Sequence, residues 1–517
     1  MMLQPFTNTK IWLVASSTLL LDVAVVRADD WPGFRGGPRR DAVSRETKLL
    51  KSWPEAGPRQ LWKTDGLGIG CATLAVADGK VFVAGAIEGQ PTMLRALDCS
   101  SGRIQWQSEV GRGYSRGTPT VFQGKIYMQL GGRICCHDAT DGRRLWDVDL
   151  MSLIPDAGDW KDRTRYGTWS QSPLVALDKV FLVAGHPKAC VVALDHNSGG
   201  LVWTSKGSRE ASSRGWSSPI MVRHNGRDLL IAQTAWHVLG LDPASGQVHW
   251  EERVFGNGRG YRAGNSLGNI PVFVDGRLFC ATGYGTVIWS TFYLSSSGKT
   301  ITKAWNSDAI RPFQESVVCV GGMLFGHGKL SWVHVDENPN LLFNGRPFAE
   351  QRDQFRTPPD ERSEDPWHGS NAIRFTESQP GKSPYLFRSG GLICQDFQTG
   401  RVLGTRYSFR GPGFSGLMLA YDDGMLYAAW SDVFDKVYLI EASPEMSLKG
   451  VLSVPVPEVE KKPEISISSG CFCAPVISNG TLQNTRLSRK AVYQLHRVLL
   501  SCGRYRHLGK LSGSRGP

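Results

Sequence analysis

An all-β fold, an eight-bladed β-propeller of four-stranded antiparallel blades, is what the sequence predicts, and three observations predict it. The first is a repeated phrase. "LDCSSGRIQW" (97–106), "HDATDGRRLW" (137–146), "LDHNSGGLVW" (194–203) and "LDPASGQVHW" (241–250) all share Asp-x-x-x-Gly-x-x-x-Trp. The second is a β-rich run, a polar turn and another β-rich run ahead of each copy, as in "TPTVFQGKIYMQ" (118–129) and "SPLVALDKVFLVAG" (172–185). Such alternation around a glycine turn marks an antiparallel hairpin. The third is the spacing of roughly 40 to 50 residues, the length of one four-stranded blade.

Taken in order, residues 1–28 read as a signal peptide: Lys10, the apolar run from Ile11 to Val26, then Val26-Arg27-Ala28 as a small-residue cleavage site. Export to the periplasm or cell envelope is the expectation that follows. Asp22 interrupts the run and counts against this reading; the competing one is an uncleaved anchor helix, for which ~18 unbroken apolar residues are expected. No later segment is long and apolar enough to cross a membrane once the signal is removed. Residues 29–58 form a leader, and the propeller itself is expected over 59–482.

Within it, repeats occupy 71–106, 117–146, 168–203, 215–250 and a degenerate 266–305. A sixth starts at "ESVVCVGGMLFGHG" (315–328) and resumes at "GGLICQDFQTGRVL" (390–403), with a polar, proline-containing insertion at about 329–389 between the two. The seventh covers 414–450 and the eighth begins at 471–482, where the N-terminal "RQLWKTDG" (59–66) should supply the outer strand. Sharing one blade between the two ends of the repeat region closes a ring and removes exposed sheet edges. After Leu482 no further strand or Asp-x-x-x-Gly turn follows, so the last blade is expected to be incomplete. Residues 483–517 read as a basic tail, either a disordered arm or the product of a shifted reading frame.

The repeated residues have architectural roles. A lone four-stranded sheet cannot cover both faces, so neighbouring blades must stack, and Trp106, Trp146, Trp203 and Trp250 are expected to fill the wedges between them. Gly102, Gly142, Gly199 and Gly246 allow the tight turn, while Asp98, Asp138, Asp195 and Asp242 accept its N–H groups.

The formal net charge of +12 suggests an anionic partner until its location is considered. Eight Lys/Arg and no acid lie in 481–517, which leaves the body near neutral, without a footprint for nucleic acid. Eleven cysteines are scattered without metal-ligand spacing, so no metal site is expected and most should be small buried strand residues. The pair Cys135-Cys136 is assigned to the slot held by Ala96-Leu97 and Ala193-Leu194 in sister repeats.

These repeats resemble those of the pyrroloquinoline-quinone-like (PQQ-like) eight-bladed propellers over about residues 59–482, and are most similar to the non-enzymatic exported members. The leader "DDWPGFRGGPRRDAVS" (29–44), "YLIEASPEMSLKGVLSV" (438–454) and "FCAPVISNGTL" (472–482) carry the resemblance further. Two functions follow from it. The family's enzymes are quinoprotein alcohol dehydrogenases that hold PQQ with a Ca²⁺ bound by carboxylate and amide oxygens, beside an aspartate base, which such chemistry requires. No matching carboxylate cluster can be assigned in this chain. Asn265 and Glu315 fall in blade-opening loops and read as solvated loop residues, so no catalytic residue, cofactor or metal is expected.

The preferred function is a monomeric binding or assembly scaffold for protein or glycan partners, without a bound quinone. "RGYSRGTP" (112–119), "RYGTWSQSP" (165–173) and "SRGWSSP" (213–219) open equivalent blades. They would bring Arg112, Tyr114, Arg116, Tyr166, Trp169, Arg214 and Trp216, together with Asn265 and Glu315, around one mouth. Arginine and aromatic side chains are those that recognition surfaces favour.

Overall fold

The structure is a computed structural model. It describes residues 30–46, 49–55, 58–64, 66–68, 72–87, 89–113, 117–153, 171–186, 188–208, 217–234, 237–254, 270–281, 289–307, 309–310, 317–328, 331–334, 342–343, 346–347, 374–376, 385–388, 391–406, 417–421, 424–429, 436–453, 476–478, 481–486 and 494–499. Among these, strands form a succession of four-stranded antiparallel sheets, and the single helical element is a short 3₁₀ turn at Leu150–Leu153.

Sheet 1 is Ala75–Ala77, Lys80–Ala86, Thr92–Asp98 and Ile104–Gly111, each strand paired with the next. Sheets 2 to 5 repeat that order over 120–149, 174–205, 220–253 and 272–307. Sheet 6 is split: Met323–Gly328 pairs with Gly391–Asp396, and the intervening segment contributes its own small sheet from Ser331–His334, Arg374–Thr376 and Tyr385–Arg388. Sheet 7 covers 417–453.

The remaining sheet corrects one expectation. Val476–Ser478 and Thr481–Arg486 are followed by a third strand, Gln494–Leu499, which pairs with Thr481–Arg486 on one side and Arg59–Thr64 on the other. Four strands are therefore present where an incomplete blade was expected. The absence of an Asp-x-x-x-Gly turn has a topological reason: the fourth strand arrives from the N-terminal side, so no turn has to join it to the third. In sheets 1 to 4 and in sheet 6 that turn links the third strand to the fourth.

Among the described residues first strands are buried for most of their length, as at Ala75–Ala77, while fourth strands such as Ile104–Gly111 and Leu201–Ser205 alternate with exposed positions. First strands of successive sheets also lie beside one another, as those of sheets 1, 2, 3 and 4 do in turn. The sheets thus share an inner side, with separate apolar cores between sheets 1 and 2, 2 and 3, and 3 and 4.

The repeated tryptophans are the joints between sheets. Trp106 Nε1 donates to the Ala139 carbonyl (3.3 Å), Trp146 to His196 (3.2 Å) and Trp203 to Pro243 (3.3 Å), each time the residue after the Asp of the next sheet's turn. Trp62 and Trp305 do the same to Cys99 and Phe397, while Trp250 donates to the carbonyl of the turn glycine itself, Gly298. Under the rings of Trp62, Trp106, Trp146, Trp203 and Trp305 lies the turn glycine. A Cβ on Gly142 would stand 2.4 Å from Trp106 Cε3, and one on Gly102, Gly199, Gly246 or Gly400 would meet Trp62, Trp146, Trp203 or Trp305 at under 3 Å. The glycine therefore serves twice, supplying positive φ and a flat seat for the preceding Trp. Phe82, Tyr127, Phe181 and Phe279 tilt against the same indoles with centroids 5.9 to 6.3 Å apart.

The turn carboxylates behave as expected. Asp98 Oδ1 accepts from the amides of Ser100 (3.0 Å) and Ser101 (2.8 Å) and from both hydroxyls. Those hydroxyls and amides pull its pKa down to about 2. Asp138, Asp195, Asp242 and Asp396 make the equivalent amide contacts.

Candidate functional site

Of the nine expected mouth residues, Arg112 is described: it is exposed and directly follows the last strand of sheet 1. Tyr114, Arg116, Tyr166, Trp169, Arg214, Trp216, Asn265 and Glu315 lie outside the described residues.

The cysteine pair is buried and free, as are Cys99, Cys190, Cys280, Cys319 and Cys394. Its slot assignment is corrected by one residue. Cys136 pairs with Trp146 as Ala96 pairs with Trp106 and Ala193 with Trp203, so Cys136 holds the alanine slot and His137 the leucine slot. The register runs from Asp138 backwards, and counting from the cysteines instead shifts it. Because side chains alternate across a strand, Cys135 packs into the core shared with sheet 1 and Cys136 into that shared with sheet 3. Burial pushes both thiols up to about 12, far from thiolate chemistry at neutral pH. His137, also buried, lies 3.0 Å through Nδ1 from the Gly142 carbonyl and ties the strand to its turn.

The concentration of buried charge lies elsewhere, in the leader. First strands have one edge facing the shared inner side, and the N–H and C=O groups there need partners. Residues 31–44 supply them. Trp31 and Val76 of sheet 1 exchange both backbone bonds at 2.8 Å, Val121 of sheet 2 donates to the Pro32 carbonyl (2.7 Å), and Met221 of sheet 4 to that of Pro38 (2.9 Å). Val43–Ser44 adds a parallel fifth strand to sheet 7 against Leu417–Tyr421.

Two guanidiniums reach the remaining edges. Arg35 donates to the carbonyls of Arg40 (2.8 Å), Asp41 (3.3 Å) and Val317 (2.6 Å), the last just ahead of sheet 6. Arg40 donates to Ser172 (2.9 Å) and Pro173 (2.6 Å), just ahead of sheet 3. Both are almost fully buried, at 3% and 2% exposure. Burial lowers Arg35 to about 10 against the pull of Asp41, and lowers Arg40 to about 9 with help from Arg35. Both keep their charge at neutral pH, held by oriented carbonyl dipoles. The leader turns sharply to place them, with positive φ at Arg35, Gly36, Arg40 and Ala42 and an Ala42 N–H to Arg35 carbonyl bond of 3.1 Å. Non-glycine residues in that region cost about 1 kcal/mol or more each, so surrounding contacts must hold them there.

Beside the leader is a cavity of about 1020 Å³, bordered by Asp30, Arg39, Arg45, Arg223, Asn225 and Asp275. Arg39 and Arg45 both pair with Asp41. Arg35 and Arg40 are what sequence reasoning missed: the leader was recognised as a segment but given no task. Its signal was the density of Gly, Pro and Arg in "WPGFRGGPRR", which indicates a compact turn rather than a linker.

Among the described residues no group of three or more His, Cys, Asp or Glu could hold a metal ion. Nor is any described helix long and apolar enough to cross a membrane.

Comparisons with known proteins agree with this architecture. Among solved structures the chain is similar to BamB from Moraxella catarrhalis, with a TM-score of 0.53 and 13% identity over 85% of this chain and 99% of that one. It is also similar to the quinohemoprotein alcohol dehydrogenase from Comamonas testosteroni, with a TM-score of 0.56 and 14% identity over 92% and 81%. A europium-containing methanol dehydrogenase aligns with a TM-score of 0.57 and 12% identity over 91% and 98%. At such identities the likeness is one of fold. No curated protein matches the chain in sequence. The family model described as outer membrane protein assembly factor BamB matches residues 32–147 and 90–337, more than half of the chain, and the chain therefore belongs to this PQQ-like β-propeller family.

Proposed function

We infer that the chain is an exported, closed eight-bladed propeller that works as a monomeric binding or assembly scaffold for protein or glycan partners in the periplasm or cell envelope, without quinone. The observation that carries this reading is the leader. The inner edges that a funnel-bound cofactor would approach are taken by the chain's own backbone and by two buried arginines. What remains for recognition is the mouth formed by the blade-opening loops, with Arg112, Tyr114, Arg116, Tyr166, Trp169, Arg214, Trp216, Asn265 and Glu315. Membership of a family named for an assembly factor supports the same reading.

The competing reading is a PQQ-dependent alcohol dehydrogenase using Ca²⁺, supported by the fold likeness to a quinohemoprotein alcohol dehydrogenase and to a europium-containing methanol dehydrogenase. One experiment separates them. Purified protein is mixed with PQQ and Ca²⁺, and quinone binding is followed by calorimetry while alcohol-dependent dye reduction is followed by absorbance. The scaffold predicts neither heat of binding nor turnover. Turnover above a quinone-only control refutes it.

A further inference from the structure

We propose that the inner edges of the sheets form a binding site for a sharply turned, arginine-bearing peptide, and that the leader is its occupant in cis. The proposal does not depend on the scaffold reading. Three features point to it.

Recognition is by backbone first. Trp31, Pro32, Pro38 and Val43–Ser44 bond to edges of sheets 1, 2, 4 and 7 through main-chain groups, as an added strand does in β-augmentation. Specificity is then supplied by two carbonyl receptors, Val317 for the first arginine and Ser172 with Pro173 for the second. A lysine cannot reproduce the two-pronged contact of Arg40, since its donors radiate from one point. Small and apolar residues complete the fit. Gly33 lies where a Cβ would stand 3.2 Å from Thr120 Oγ1, Gly36 lies under the Trp31 ring, and Phe34 packs on the apolar core of sheets 4 to 6.

The occupant is also peptide-like in its covalent attachment. After Glu46 the chain passes through the exposed Lys51 and Ser52 before it joins the outer strand at Arg59. Cutting there would leave the leader held by non-covalent contacts alone.

The test uses the full chain with a specific protease site inserted between Lys51 and Ser52. After cleavage, the leader should co-elute with the body in size exclusion, and a labelled synthetic peptide of residues 30–46 should exchange into its place. A peptide carrying Arg35→Ala and Arg40→Ala should compete at least roughly 100-fold more weakly, the loss expected for several charge-assisted bonds. A peptide with Arg39→Ala should compete like the native one, because Arg39 is 42% exposed and its described ion pair, to Asp41, lies within the leader. Three results overturn the proposal: a cut leader that elutes away from a body whose melting is unchanged, equal competition by native and doubly substituted peptides, or collapse on cutting that added peptide does not reverse.

Discussion

Placing a methyl group on Gly142 tests the joint between sheets. In Gly142→Ala the new Cβ would stand 2.4 Å from Trp106 Cε3 and 2.8 Å from Cζ3, at a φ of +78°. The backbone strain of a left-handed non-glycine residue is about 1–2 kcal/mol. Moving the indole off its seat adds about 1–3 kcal/mol, the usual range for overpacking a filled site. The loss should therefore total about 2–5 kcal/mol. Gly124→Ala is the control, with a φ of +70° and nothing within 4 Å of the added carbon, and should cost only the strain. Equilibrium urea unfolding of the two variants measures the difference. In a Trp106→Ala background, itself weakened by about 3–5 kcal/mol through loss of a large side chain, Gly142→Ala should fall to the cost of its control. Equal losses for Gly142→Ala and Gly124→Ala, or an undiminished loss without Trp106, would refute the reasoning.

Other outcomes follow from the same structure. Cys135 and Cys136 should resist alkylation at pH 8 in the folded protein and react once it is denatured, because burial holds their thiols near 12; rapid native labelling found by peptide mass spectrometry would contradict this. The Asp98 carboxyl, observed by carbon NMR, should titrate near 2 rather than at its ordinary 3.8. Its native pKa is depressed, so its contribution to stability is complete above about 3.8 and is lost as pH falls through about 2; a midpoint near 4 would remove the assigned hydrogen bonds. Trp250→Phe should cost about 1 kcal/mol in urea unfolding, since it deletes the indole N–H bond to the Gly298 carbonyl while keeping most of the packing.

The repeat was legible because its residues act locally. Asp98 and Gly102 make a turn from their own neighbours, so the phrase survives wherever the turn is needed. Trp305 and Gly400 were harder to see as partners, because one lies in a repeat without the Asp-x-x-x-Gly turn and the other beyond the sixth-sheet insertion. Their contact is between sheets, and sequence spacing does not encode it. The slot of Cys136 was misplaced for a related reason: a strand has period two, so an error of one residue moves each side chain to the opposite face. Gln494–Leu499 was missed because its flanks are basic and carry no Asp-x-x-x-Gly turn, while its partner strand lies far away in the sequence. The leader was least legible. Its hydrogen bonds go to six separate sheets, and no periodic pattern records contacts of that kind.

The pairing of Arg59–Thr64 with Gln494–Leu499 sets a schedule for synthesis. The first of these strands leaves the ribosome long before its partner. At elongation rates of ~5–20 residues per second the wait is on the order of tens of seconds. For that time the nascent chain carries an unpaired strand containing Leu61 and Trp62, the kind of edge that invites premature pairing with another chain. Its charged Arg59 and Lys63 are residues that discourage such pairing, so the interval before the partner strand emerges is a selective pressure written into the composition of the first.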